Sequence, residues 1–368
     1  MSDGVPDARS GPLLICPTCS LRSDDLLVDA VPPSSDVTCA RCGHHAKPLL
    51  ARLPDGVAPN DWGALRQAIA AEQESRPSQS KRRWITTGVT LRVAKLLQTI
   101  ASETGSQVVL EADASIAAMA ETISRDGIAG ATVGDVMRHA TGIWMIGDLE
   151  SSMPRLRSQM MSLDAGRCIC TPSVTSDQVA ELHAASRSLA KSTSCVPSMT
   201  KSEDAILHEA DYLAVVWAAK AAASDPETTT ALLARWIRDQ NEPRRVVLLM
   251  MDDAATLKSV FLWRSNQLPE TIVSDQSPDL AGTSDDVLTL RVGCPAASSV
   301  HPAWLQLGGV DPGVELARYY LPVANVGFKN RDAVIRGDGT VTLPVTAASF
   351  ESHLQTLPSL LDVLPSLV

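Results

Sequence analysis

The chain has 368 residues, of which 45% are hydrophobic and only 4% aromatic, and its 42 acidic against 32 basic residues leave a formal net charge of −10. That length allows two packed domains, or one large unit with a small appendage, built around aliphatic cores. The acidic balance speaks against nucleic acid or an anionic membrane as the main partner. No stretch approaches the roughly 18 uncharged apolar residues of a membrane helix, and Met1, Ser2, Asp3 and Gly4 do not begin a basic-then-apolar leader. A cytoplasmic protein is therefore expected, its eight cysteines acting as thiols or ligands rather than disulfides.

Residues 13–50 hold four of the cysteines in a module too small for its own core, so a metal or a larger body must support it. A helix is predicted over 61–71, with Asp61 as N-cap and Leu65, Ala68 and Ile69 on one face. Lys81, Arg82 and Arg83, the one basic run, read as part of a solvated linker. Strands are then predicted at 84–87, 107–110, 142–147, 167–171, 212–218 and 245–251. Helices are predicted between them at 90–103, 115–125, 132–139, 154–162, 176–190 and 227–239. Strands interleaved with helices predict right-handed crossovers and doubly wound, mostly parallel α/β sheets, with the ligand crevice at the carboxyl ends of the strands. Past residue 270 Ser, Asp, Pro and Gly become frequent; strands are predicted at 287–292, 317–324 and 340–345, and a final helix near Ala347. The expected division is a metal module at 1–55, a doubly wound region at 80–270, and a C-terminal α/β region at 271–368 that completes the fold.

Within the module, Cys16, Pro17, Thr18 and Cys19 precede 19 residues and then Cys39, Ala40, Arg41, Cys42 and Gly43, a pattern that resembles a zinc ribbon. Two-residue spacing lets a tight turn aim both sulfurs at one ion, and Gly43 permits the left-handed conformation that ends such a turn. Four thiolates from Cys16, Cys19, Cys39 and Cys42 close a tetrahedral shell and leave no position for substrate, which marks a structural zinc. His44 and His45 follow directly, and either is an alternative ligand in place of one cysteine.

Signatures of common catalysis are absent: there is no G-x-G-x-x-G, G-x-x-x-x-G-K-[ST], G-x-S-x-G or H-E-x-x-H. His139, His183, His208, His301 and His353 stand apart in sequence, and the acid pair Asp252 and Asp253 reads as a turn. Cys168 and Cys170 lie two apart on a predicted strand, hence on one face; they are able to share a ligand, but buried packing is the simpler expectation. Gly308, Gly309 and Gly313 read as a plain loop rather than an anion nest. The seven tryptophans are expected in cores.

Several stretches taken in order resemble the B subunit of formylmethanofuran dehydrogenase, of the molybdopterin oxidoreductase superfamily. They are Cys16 to Leu26; Ala131 to Asp135; the strand Ile143 to Gly147; Met153 to Arg155; Ala317 to Gly327; and Val334 to Gly339. Departures from that family are as informative. Ser23 stands where its iron–sulfur pattern has a third cysteine, and Asp113 to Met119 carries no cysteine where the family has its tungsten or molybdenum ligand. Asp148 and Leu149 replace an Asn-Pro pair, placing a negative charge where an anionic pterin would approach.

The resemblance therefore implies a degenerate form, similar to the corresponding component of the bacterial formyltransferase/hydrolase complex of tetrahydromethanopterin- and methanofuran-linked one-carbon metabolism. It implies a non-catalytic structural subunit with amidohydrolase, formyltransferase and C subunits as partners. It also implies a molybdopterin-oxidoreductase type of fold, while the departures at Ser23, Asp113 to Met119 and Asp148 point to the absence of molybdopterin and an iron–sulfur cluster, and the four cysteines to structural zinc. The alternatives are an active oxidoreductase subunit holding a pterin-bound metal and a cluster, and a zinc-ribbon protein that binds nucleic acid.

Overall fold

The computed structural model describes residues 13–14, 26–27, 51–58, 60–76, 82–187, 200–273, 287–293, 301–308, 311–323, 332–345 and 361. Cys16, Cys19, Cys39, Cys42, His44, His45 and the helix predicted near Ala347 lie outside the described residues. On either side of the first cysteine pair, β1 (Leu13–Leu14) and β2 (Leu26–Leu27) pair antiparallel.

The protein is an α/β structure with two parallel sheets. Helix α1 (Trp62–Glu74), capped by Asp61, leads to β3 (Arg82–Thr86), α2 (Leu91–Thr104) and β4 (Gln107–Ala112), the first strands of one sheet. The chain then leaves it. Helices α3 (Ala114–Asp126) and α4 (Val133–His139) precede β5 (Gly142–Ile146), followed by α5 (Leu149–Ser152), α6 (Pro154–Leu163), β6 (Cys168–Thr171), α7 (Ser176–Arg187) and α8 (Lys201–Glu209). Strand β7 (Tyr212–Trp217), α9 (Pro226–Gln240) and β8 (Arg245–Met250) complete a four-stranded sheet in the order β6-β5-β7-β8. Helix α10 (Ala255–Ser265) returns the chain to the first sheet. There β9 (Glu270–Val273), β10 (Leu288–Val292), β11 (Ala303–Leu307) and β12 (Ala317–Leu321) give the six-stranded order β12-β11-β10-β3-β4-β9. An antiparallel hairpin, β13 (Asp332–Ile335) and β14 (Thr342–Val345), follows.

The four-stranded sheet is covered on both faces, which explains why β5 and β7 are apolar without alternation. Ile143, Met145, Val216 and Leu249 pack with Val136, Leu156 and Met160 on one side. Trp144, Val215, Trp217 and Leu248 pack with Met119, Leu182, Leu233 and Trp236 on the other. In the six-stranded sheet, Trp84, Leu110, Leu290 and Leu305 share a core with Leu65, Leu97 and Leu257.

Three expectations are corrected. Arg82 and Arg83 are not linker residues but part of β3: Arg82 is buried and donates to Gln73 (2.7 Å), and Arg83 donates to Gln107 (3.0 Å). Long apolar stems let arginine sit in a strand while its head reaches a polar partner, and burial lowers the Arg82 pKa. Cys170 is exposed at an outer strand of the sheet, whereas Cys168, on the same face, is half-buried against the cluster that contains Met145 and Met160. Helix α10 was not legible, because Leu257, Val260 and Phe261 are buried while Leu262 and Trp263 are exposed apolar residues on its other side, which blurs the period. Trp263, 69% exposed, is also the tryptophan that departs most from the expected core placement.

Candidate functional site

In doubly wound sheets the crevice forms where consecutive strands are added on opposite sides. In the four-stranded sheet that point lies between β5 and β7, since β6 flanks β5 on one side and β8 flanks β7 on the other. Gly147 follows β5 and Lys220 stands just beyond β7. The two stretches singled out by family resemblance, at Asp113 and Asp148, are therefore brought to one place by a third that nothing in the sequence marked.

The crevice is closed by the chain itself. Gly147 has φ +104°, and a Cβ there would lie 2.6 Å from the carbonyl oxygen of Ala219, so only glycine permits this approach. The Asp148 N–H donates to that same oxygen (2.8 Å), and the Gly147 N–H donates to Thr171 on the neighbouring strand (3.0 Å). Lys220 takes φ +59°, an uncommon left-handed conformation for a side-chain-bearing residue. Its N–H donates to Asp113 Oδ1 (3.1 Å), and its ammonium stands 3.8 Å from the Asp148 carboxylate.

Asp113 also accepts from the N–H groups of Ser115 (2.9 Å) and Ile116 (3.4 Å), and so caps α3. Ser115 is buried: its hydroxyl accepts from the Ala222 N–H (3.0 Å), and its carbonyl accepts from Trp217 Nε1 (2.8 Å). These contacts fasten the start of α3, which leaves the six-stranded sheet, onto the end of β7 in the four-stranded one.

The chemical capacity of this arrangement is limited. Asp113 already takes the N–H groups that open α3, and Asp148 stands beside the Lys220 ammonium, the groups to which an anionic cofactor would be drawn. Residues 113–119, 147–149 and 218–222 contain no cysteine or histidine to bind a metal or act as a nucleophile.

The histidines lie elsewhere. His183 meets Asp239 at 2.7 Å, joining α7 to α9, and its hydrogen bond, with that of Arg187, holds the Asp239 carboxyl below the usual range. His208 lies 3.6 Å from Asp204 on the same helix, His139 is exposed at the end of α4, and His353 lies outside the described residues. His301 is buried, with Nε2 bonded to the Val273 carbonyl (2.9 Å). Its own carbonyl accepts from Arg291, which stands 3.6 Å from the fully buried Glu111. Burial pulls the Arg291 pKa down. This polar group inside the six-stranded sheet had no sequence signal, since Glu111 and Arg291 are single charges in apolar strands. The Gly308 N–H donates to the Leu321 carbonyl (2.9 Å) at the end of the β11–β12 pairing, and Gly309 lies outside the described residues.

Cys168 and Cys170 both stand on β6, and the four cysteines of the N-terminal module lie outside the described residues.

No family model matches the chain, and no curated protein matches it. A chain in the crystal structure of the formyltransferase/hydrolase complex from Methylorubrum extorquens, in complex with methylofuran, is similar to it in structure. The TM-score is 0.61 at 17% identity, over 86% of this chain and 98% of that one. At that identity the likeness is one of fold.

Proposed function

We propose that this chain is a non-catalytic structural subunit of a formyltransferase/hydrolase-type complex in one-carbon metabolism. A zinc ion held by Cys16, Cys19, Cys39 and Cys42 is part of this reading. The observation that carries it is the closed switch point. Asp113, Gly147, Asp148 and Lys220 engage one another where an α/β enzyme of this architecture would open a ligand crevice. The shared fold with a chain of the Methylorubrum complex supports the assignment to an assembly, and the sequence resemblance supplies the partners: amidohydrolase, formyltransferase and C subunits. The acidic net charge agrees with protein partners rather than nucleic acid. Among the described residues no helix is long and apolar enough to cross a membrane.

In this role the chain contributes surface and rigidity, while formyl transfer and release of formate take place on its partners. Co-expression with candidate amidohydrolase and formyltransferase subunits, followed by metal quantification, tests the reading. Stoichiometric co-purification with about one zinc per chain is expected. Stoichiometric iron together with molybdenum or tungsten would sink it and restore a redox enzyme.

A further inference from the structure

Strand β6 is the outer strand of the four-stranded sheet, and its residues alternate. Ile169 and Thr171 point inward and are buried, whereas Cys168 is half-buried and Cys170 exposed on the opposite face. In register, Cys168 lies beside Ile143 and Cys170 beside Met145. That face belongs to an apolar cluster rich in thioethers: Met145, Met153, Met160 and Met251 are buried in it, and Met137 and Met161 pack against it. Cys168 itself sits 3.7 Å from the Met160 carbonyl oxygen and 3.6 Å from that of Asp164.

Spacing decides between two uses of such a pair. Alternate residues of a strand are about 6.6 Å apart, whereas a disulfide needs Cβ atoms within about 4.5 Å. A bridging ion adds two metal–sulfur bonds of about 2.3 Å each and so spans what a disulfide cannot without bending the strand. Thiolates and thioethers are soft donors that select soft cations.

We propose that the cysteine-bearing face of β6 binds a soft monovalent cation of the Cu(I) class between the sulfurs of Cys168 and Cys170, with Met145 supplying a thioether beside them. This proposal does not depend on the role in a complex proposed above. Full-length protein as purified is treated anaerobically with Ag(I), a redox-inert probe, then alkylated with iodoacetamide and mapped peptide by peptide. Alkylation of Cys168 and Cys170 is expected to slow at least about tenfold once the ion is present. Cys170→Ser, at an exposed position, keeps the far-ultraviolet circular dichroism and takes up one equivalent of Cu(I) fewer in competition with bicinchoninate. Met145→Leu keeps the stoichiometry but weakens the affinity about tenfold or more. Unchanged alkylation of Cys170 in the presence of Ag(I), or equal Cu(I) uptake by wild type and Cys170→Ser, overturns the proposal.

Discussion

One oxygen of Asp113 accepts three backbone N–H groups, two from the first turn of α3 and one from Lys220. Asp113→Ala strands all three donors, with an expected loss of about 1–2 kcal/mol. Asp113→Asn keeps an acceptor oxygen and loses less, and urea denaturation monitored by tryptophan fluorescence separates the two. Gly147→Ala is expected to cost more than about 2 kcal/mol, because the new methyl meets the Ala219 carbonyl at a backbone angle that L-residues avoid. Glu111 and Arg291 present a different case, a fully buried pair 3.6 Å apart. Arg291→Leu alone leaves a buried carboxylate without its counter-charge and is expected to destabilise by about 3–5 kcal/mol. The double change Glu111→Met with Arg291→Leu recovers most of that loss, so the thermal midpoint of the double variant lies above that of the single one.

At the level of elements, the hairpin β13–β14 acts as a clasp. Asp332 accepts from the Arg92 N–H in the first turn of α2 (3.2 Å), the Ile335 N–H donates to Thr256 of α10 (2.8 Å), and Asp338 accepts from the Val133 N–H of α4 (3.2 Å). The hairpin thereby touches helices of both sheets. Burial pushes the Asp338 carboxyl up, but hydrogen bonds from Arg336, Thr340 and Val133 outweigh it and leave the pKa lowered. A carboxyl lowered in the folded state adds stability above its unfolded value, near 4, and loses that contribution as pH falls through the lower folded value. The stability gap between wild type and Asp338→Asn should therefore be widest at neutral pH and close as the pH drops below about 4; denaturation at a series of pH values checks this.

The elements themselves were largely legible, since β5, β7 and β8 are apolar runs and α1 and α4 carry recognisable caps at Asp61 and Thr132. Helix α8 and strands β9, β11 and β13 were not predicted; β9 is short and half-exposed and so lacks a core signal. The meeting of Asp113, Asp148 and Lys220 was not legible either. Each ends or follows a different strand, and strand order is fixed by long-range packing rather than by local pattern.

For the whole molecule, two parallel sheets are joined by α3, which packs on α9, and by the hairpin clasp. This coupling predicts one cooperative unfolding transition, with circular dichroism and tryptophan fluorescence coinciding. Disrupting the clasp with Asp338→Ala is expected to split the fluorescence transition in two, since Trp144 and Trp217 of the four-stranded sheet and Trp236 of α9 report one half while Trp84 and Trp304 of the six-stranded sheet report the other.

The strand order also sets a timetable for synthesis. Strand β3 pairs on one side with β4, which leaves the ribosome soon after it, but on the other with β10, which emerges only after the entire four-stranded sheet has been made. Parallel pairings between distant segments form slowly. The four-stranded sheet is complete within one continuous stretch and can close early, while the half-built sheet waits with one flank of β3 open. During that interval the nascent protein exposes an edge ready to join another chain, so the period between the emergence of β4 and that of β10 is when it most needs a chaperone.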